Sequence, residues 1–196
     1  MEHYYSENPK SEHRIFDIKY NIGDLELNFT TDTGVFSKTR VDYGTDVLIR
    51  SLPPLHGKIL DLGCGYGPIG ISLAKLNPDS QITMVDINQR AIDLANQNIQ
   101  KNNVQNAIAF QSNGFEKVDG IFNAIVSNPP IRAGKKVIYP LFERSIDYLD
   151  KEGVLYLVIQ KKQGAKSAME KLTEIYGNCE AINKKGGYWI LRSIKA

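Results

Sequence analysis

Asn128-Pro129-Pro130 closes the apolar run Ile121-Phe122-Asn123-Ala124-Ile125-Val126, where a buried strand is expected to end. Each proline ring locks φ and removes an N–H, so this tip offers mainly acceptors: the Asn128 amide oxygen and nearby carbonyls, held in place. Acceptors fixed in this way suit a planar amine. Taken alone, the tripeptide suits a rigid loop better, with Asn128 capping a turn, because asparagine and proline favour turns for local reasons. Other residues must decide between the two readings.

The first of these lie upstream. Gly57-Lys58-Ile59-Leu60-Asp61-Leu62 reads as a short buried strand running into Gly63-Cys64-Gly65-Tyr66-Gly67-Pro68-Ile69-Gly70. Glycines at such spacing permit a tight turn and a close approach of ligand to backbone. Ile69, Ile71, Leu73, Ala74 and Leu76 then predict a helix packed on a sheet, with Pro68 in its first turn. A second strand, Gln81 to Asp86, ends on a carboxylate at the distance where such folds hold a ribose. Gly65-x-Gly67-x-x-Gly70 also satisfies the dinucleotide fingerprint. Asp61 argues against a dinucleotide, since a pyrophosphate site gains nothing from negative charge beside its loop. A cationic ligand gains from it.

Asp61-x-Gly63-x-Gly65-x-Gly67, an acidic end to the next strand at Asp86, and Asn128-Pro129-Pro130 at the fourth strand fall in order on strand tips. In that combination the chain resembles the S-adenosylmethionine-dependent methyltransferases of the Rossmann-like class, and among them the amino-methylating members. Gly34-Val35-Phe36-Ser37-Lys38 and Val41-Asp42-Tyr43-Gly44-Thr45 narrow the resemblance to the small-domain, RsmC-like ribosomal RNA guanine-N2 methyltransferases. The resemblance implies S-adenosylmethionine as cofactor and methyl transfer to an exocyclic amine, guanine N2 in ribosomal RNA. Adenine N6 or a protein glutamine amide is the alternative, and a non-catalytic binding module and a dehydrogenase stand further off. It implies a partner in ribosomal RNA or a ribosomal subunit, and no metal.

Residue by residue, the resemblance assigns Asp86, with Ile87 beside it, to the ribose, and Gly63, Gly65 and Gly67 to backbone approach. Asp61 falls on the methionyl amine side, and Asn113 with Gly114 and Phe115 near the adenine. Asn128, Pro129 and Pro130 are the catalytic candidates, with Asn128 also near the cofactor. Many amino-methylating relatives carry Tyr or Phe after Pro-Pro, where this chain has Ile131. Phe36 is the candidate to supply a stacking ring in its place. Arg132, Lys135 and Lys136 are candidates for phosphates flanking the base. Relatives known for RNA work often carry an extra amino-terminal copy of the domain, which is not present in these 196 residues.

These residues need a scaffold. Strand and helix patterns alternate from Lys58 onward: a helix over Asn88–Asn102, strands at Ala107–Gln111 and Ile121–Ser127, a helix over Tyr139–Leu149, a strand at Val154–Ile159 and a helix over Gly164–Tyr176. This predicts an α/β fold: a Rossmann-like, doubly wound, mostly parallel seven-stranded sheet ending in an antiparallel hairpin about Lys184-Lys185-Gly186-Gly187. Ile15–Tyr20 and Leu25–Phe29 predict an amino-terminal β-hairpin with Leu25, Leu27 and Phe29 inward. Residues 1–40 are expected to form this extension and 41–196 the methyltransferase domain, with residues 1–13 loosely ordered and Asp42 capping a helix that ends before Pro53-Pro54. A net charge of +2 permits a nucleic-acid partner without requiring one. Two cysteines predict no disulfide framework and a reducing cytoplasm. Three scattered histidines offer no metal spacing, and no apolar run is long enough to span a bilayer. Oligomeric state is unknown from the sequence.

Overall fold

The computed structural model describes residues 14–37 and 39–196. The expectation for residues 1–13, and Lys38 of the amino-terminal loop, lie outside the described residues. Alternation within the first apolar stretches forms β1 (Ile15–Ile22) and β2 (Leu25–Asp32), an antiparallel hairpin turning at Gly23. Leu27 and Phe29 point inward and are buried, while Leu25 is half-buried.

Helix α1 (Tyr43–Ser51) starts at Asp42, whose carboxylate accepts from the Thr45 N–H, and is followed by Pro53 and Pro54. Next come β3 (Lys58–Leu62), α2 (Pro68–Leu76), β4 (Gln81–Asp86), α3 (Gln89–Lys101) and β5 (Ala107–Gln111). The chain continues through β6 (Phe122–Ser127), α4 (Lys135–Ser145), β7 (Leu149–Gln160), α5 (Ala165–Tyr176), β8 (Glu180–Lys185) and β9 (Tyr188–Ile194). The main sheet runs β5-β4-β3-β6-β7-β9-β8, with β9 antiparallel to both of its neighbours and the other adjacent pairs parallel. The strand order reverses beside β3, between β4 and β6. This is where open α/β sheets form a ligand crevice at their carboxyl ends.

One apolar cluster packs α1, α2, α3 and the amino-terminal hairpin on one face of the sheet; a second packs α4 and α5 on the other. Two asparagines join the hairpin to the body. Asn98 Oδ1 accepts from Thr30 N at 2.7 Å, and its Nδ2 donates to Thr30 O at 2.9 Å. One helical turn on, Asn102 makes the same pair with Asn28 at 2.9 and 2.8 Å. Side chains four apart on α3 thus act as an extra strand edge for β2, satisfying backbone groups that burial would otherwise orphan.

Two element boundaries differ from the sequence expectation. Helix α4 begins at Lys135 rather than Tyr139, which puts Pro140 inside it, and it gives way to a 3-10 turn at Ile146–Tyr148. Strand β7 starts five residues earlier than expected, and its pairing with β6 is irregular: Phe122 pairs Leu149, but Ala124 pairs Val154. Glu152 takes φ +62° in this irregularity, a conformation that the surrounding polar residues hide from a periodicity reading.

Candidate active site

The carboxyl ends of β3, β4, β5 and β6 open into a cavity of about 880 Å³. At its floor, Gly63 N and Cys64 N both donate to Val85 O, at 2.8 and 2.9 Å, which folds the glycine loop back over β4. Gly63 and Gly65 take φ +76° and +56°, and a Cβ added to either meets nothing within 4 Å. Both line the cavity, so their backbone faces open space that side chains would fill. Gly67 differs: its Cβ would lie 2.8 Å from Met84 Cε, and one at Gly70 would lie 2.5 Å from Met84 Cγ. These two glycines let α2 pack closely on β4.

Asp86 reaches the cavity from the tip of β4. Its Oδ2 accepts from Gly65 N at 2.8 Å and its Oδ1 from Asn88 N at 2.9 Å, which leaves further lone pairs for a ligand hydroxyl. Burial pushes its pKa up, opposed by the N–H groups of Asn88, Gly65 and Ile87. Asp61 lies beneath the loop instead of on the cavity wall. It is fully buried, and its Oδ2 accepts from Gly70 N at 2.8 Å. Its Oδ1 has no partner among the described residues. Burial, reinforced by the Asp86 charge and opposed by the Gly70 N–H, pushes its pKa up to about 7.

At the tip of β6, Asn128 Nδ2 donates to Thr45 Oγ1 at 2.9 Å and to Asp42 Oδ2 at 3.3 Å. A carboxylate oxygen cannot donate, so the amide nitrogen must face Asp42, and Oδ1 remains as the acceptor. Ser127 Oγ donates to Leu62 O at 2.6 Å, which ties this tip to β3. Pro130 (φ −74°, ψ 74°) is the centre of an inverse γ-turn in which Ile131 N donates to Pro129 O at 2.8 Å. The Pro129 carbonyl keeps a second lone pair.

The cavity gathers Phe36, Gly63, Gly65, Asp86, Ile87, Asn113, Gly114 and the run Asn128 to Arg132 from the residues picked out by sequence. Asp61, Gly67, Phe115, Lys135 and Lys136 do not line it. Phe115 is buried below, stacked on Tyr148 with ring centroids 4.4 Å apart. Lys135 and Lys136 are exposed in the first turn of α4, with Lys135 over the Tyr139 ring. Asn113 Nδ2 donates to Glu116 Oε1 at 2.9 Å, leaving its Oδ1 for a donor.

Sequence reasoning missed the part that six residues play in the site. Thr45 orients Asn128, and Asp42 does so in addition to capping α1. Asn88 caps α3 and donates to Gly34 O at 3.0 Å, holding the amino-terminal loop over the cavity. Val137 and Leu141 of α4 add an apolar wall. Tyr188 of β9 lies against Gly44, where a Cβ would come within 2.6 Å of its ring. An Asp or Asn just before a helix is a legible capping signal; a tyrosine arriving 144 residues after the glycine it covers leaves no local trace.

The model of the methyltransferase small domain matches residues 26–192. The chain belongs to the methyltransferase small-domain family. A Bacillus subtilis protein described as uncharacterized, YbxB, is 46% identical over 99% of this chain and 98% of its own length. Ribosomal RNA small subunit methyltransferase C of Aeromonas hydrophila is 40% identical over 69% of this chain, a match that covers 41% of that enzyme. For the Vibrio vulnificus enzyme of the same name the figures are 32%, 89% and 52%. The chain thus spans about half or less of the curated ribosomal RNA methyltransferases it matches. Among solved structures, the Thermus thermophilus 16S rRNA N2 G1207 methyltransferase in complex with AdoMet and guanosine superposes with a TM-score of 0.84 at 24% identity, over 96% of this chain and 52% of that one. At that identity the likeness establishes the fold: a Rossmann-like methyltransferase sheet with added hairpins at both ends. Membership of the family makes this chain a methyltransferase.

Proposed function

We propose that this methyltransferase moves a methyl group from S-adenosylmethionine to the exocyclic N2 amine of guanine in ribosomal RNA. The observation that carries the reading is the Asn128 amide, whose Nδ2 is taken by Asp42 and Thr45 so that Oδ1 is left as an acceptor, in a residue that lines the cavity together with Pro129. The cofactor supplies an activated methyl group. Gly63 and Gly65 offer open backbone to it, and Asp86 offers charged acceptors to its ribose.

An exocyclic amine conjugated with its ring is a poor nucleophile. Two fixed acceptors holding both of its N–H bonds favour a pyramidal nitrogen and stabilise the positive charge that develops during attack. Orientation does the rest, and no strong base is needed before attack. The similarity to ribosomal RNA small subunit methyltransferase C, at 40% identity over the matched segment, supports ribosomal RNA over a glutamine amide, and the fold shared with a 16S rRNA N2 G1207 methyltransferase is the reason for choosing guanine N2 over adenine N6.

The test is incubation with methyl-labelled S-adenosylmethionine and separate pools of ribosomal RNA, ribosomal subunits and protein extract, followed by nucleoside and amino-acid analysis. Label in N2-methylguanosine is expected. Label confined to N6-methyladenosine or to glutamine overturns the substrate assignment.

A further inference from the structure

Ile131 puts no aromatic ring after Pro-Pro, and besides Phe36 of the amino-terminal loop the cavity is lined by a second candidate ring, Tyr188, the first residue of β9. Its ring packs along the first turn of α1 at Gly44, between the two residues, Asp42 and Thr45, that hold Asn128. Tyr43 meets it edge-on with centroids 5.8 Å apart and is itself 43% exposed. Gly186, in the β8–β9 turn, packs against Tyr43. Burial and the Asp42 charge both push the Tyr188 pKa up, so the hydroxyl stays neutral and the ring stays a neutral stacking surface.

Asp42 faces this ring from the start of α1, and the turn that carries the ring is rich in lysine. Lys185 is the cross-strand partner of Tyr188. Lys161 N donates to Gly187 O at 2.7 Å, and Gln160 and Gln163, which bracket Lys161 and Lys162, line the cavity. Lys184 sits over the Trp189 ring at 4.1 Å. The chain has 22 acidic residues, yet segments 120–142, 153–169 and 181–196, in which Asn128 to Arg132, Gln160, Gln163 and Tyr188 line the cavity, contain none. Among the described residues, no ion pair engages Arg132, Lys161, Lys162 or Lys185; those present lie elsewhere.

We propose that the β8–β9 turn is the RNA-holding element of this chain, with Tyr188 stacking on the extruded acceptor base and Lys185, Lys161 and Lys162 contacting the phosphates that flank it. A ring beside the amine acceptors and a lysine-rich turn outside it fit a single-stranded, polyanionic ligand. The inference rests on the ribosomal RNA reading above and names the surface that serves it. Tyr188 is a substrate-binding residue that takes the place of the ring missing at position 131.

The test uses the full chain and small-subunit ribosomal RNA, with transfer kinetics on the RNA and binding of a fluorescent guanine-containing oligoribonucleotide in the presence of S-adenosylhomocysteine. Tyr188→Ala is expected to raise the KM for RNA about 10- to 100-fold, with Tyr188→Phe restoring it and cofactor affinity unchanged. Lys161→Ala/Lys185→Ala is expected to lower the slope of log affinity against log salt by about 1.4, roughly 0.7 for each lost contact to a single strand. Unchanged KM in Tyr188→Ala together with an unchanged salt slope overturns the proposal. If the wild-type protein binds RNA with these residue and salt dependences but methylates none of it, the surface stands and the guanine-N2 reading falls.

Discussion

Asn128 is held by its own amide nitrogen, and its chemistry depends on the oxygen left over. Asn128→Ala removes the acceptor without touching the glycine loop, so transfer should fall about 10²- to 10³-fold, as when a positioned transition-state partner is lost. Cofactor affinity measured by calorimetry should stay near normal. Thr45→Val keeps the volume of α1 but removes the acceptor that fixes the amide, and a smaller loss is expected, about tenfold in kcat for a single neutral hydrogen bond. Asp86→Ala should act in the opposite sense. Without its charged hydrogen bonds, cofactor binding weakens by about 1.5–3 kcal/mol, and an unaltered dissociation constant counts against the ribose assignment. Asp61 is a different kind of carboxylate, one that pushes toward neutrality under the loop. Its unfolded pKa is near 3.8 and its folded pKa about 7, so the folded state binds the extra proton between those values. Stability of the cofactor-free protein from this group is therefore greatest near pH 4 and is lost as pH rises toward 7. Urea denaturation at pH 5 and pH 7.5 should show a steeper loss in the wild type than in Asp61→Asn, and parallel curves would remove the argument.

At the scale of elements, the asparagines of α3 bear the most consequence. Asn98→Ala orphans Thr30 N–H, Thr30 C=O and Tyr66 C=O, the last because Asn98 Nδ2 also donates to Tyr66 O at 2.9 Å. Buried unsatisfied groups of this kind cost about 1–3 kcal/mol each, and partial access of water to the hairpin edge lowers the sum. A loss of about 2–4 kcal/mol in chemical denaturation is expected, with early loss of hydrogen-exchange protection in β1 and β2. Asn102→Ala should cost less, since Asn28 is only part-buried. Asn98 also ties the glycine loop to the hairpin, so the same variant should weaken cofactor binding although it touches no ligand.

The whole molecule was legible in the sequence to an unequal degree. The order of strands and helices from Lys58 onward, the glycine loop, the acidic tip of β4 and both hairpins followed from period and turn chemistry, because each is set by residues close in sequence. What failed was mostly relational. Helix α4 was expected late, from Tyr139, because its true start at Lys135 carries no side-chain cap to mark it, and the early start of β7 was hidden by the irregular stretch through Glu152. Asp61 and Phe115 were placed at the ligand from their position in a motif; burial beneath the loop and stacking on Tyr148 are tertiary facts that no spacing carries. Tyr188 and Thr45 were invisible for the same reason, since each matters only through a partner brought close by folding.

The strand-like pairing of β2 with Asn98 and Asn102 also sets an order of events during synthesis. The hairpin is complete once residue 32 has left the ribosome, but its docking partners follow 68 and 74 residues after Thr30 and Asn28. At about 5–20 residues per second, that gap lasts roughly 4–15 s. A two-stranded hairpin alone is marginal in water, so Leu27 and Phe29 wait uncovered for that interval. Nascent chains of this protein arrested before α3 emerges should be held by chaperones and cut readily by protease, and those arrested after it should be protected.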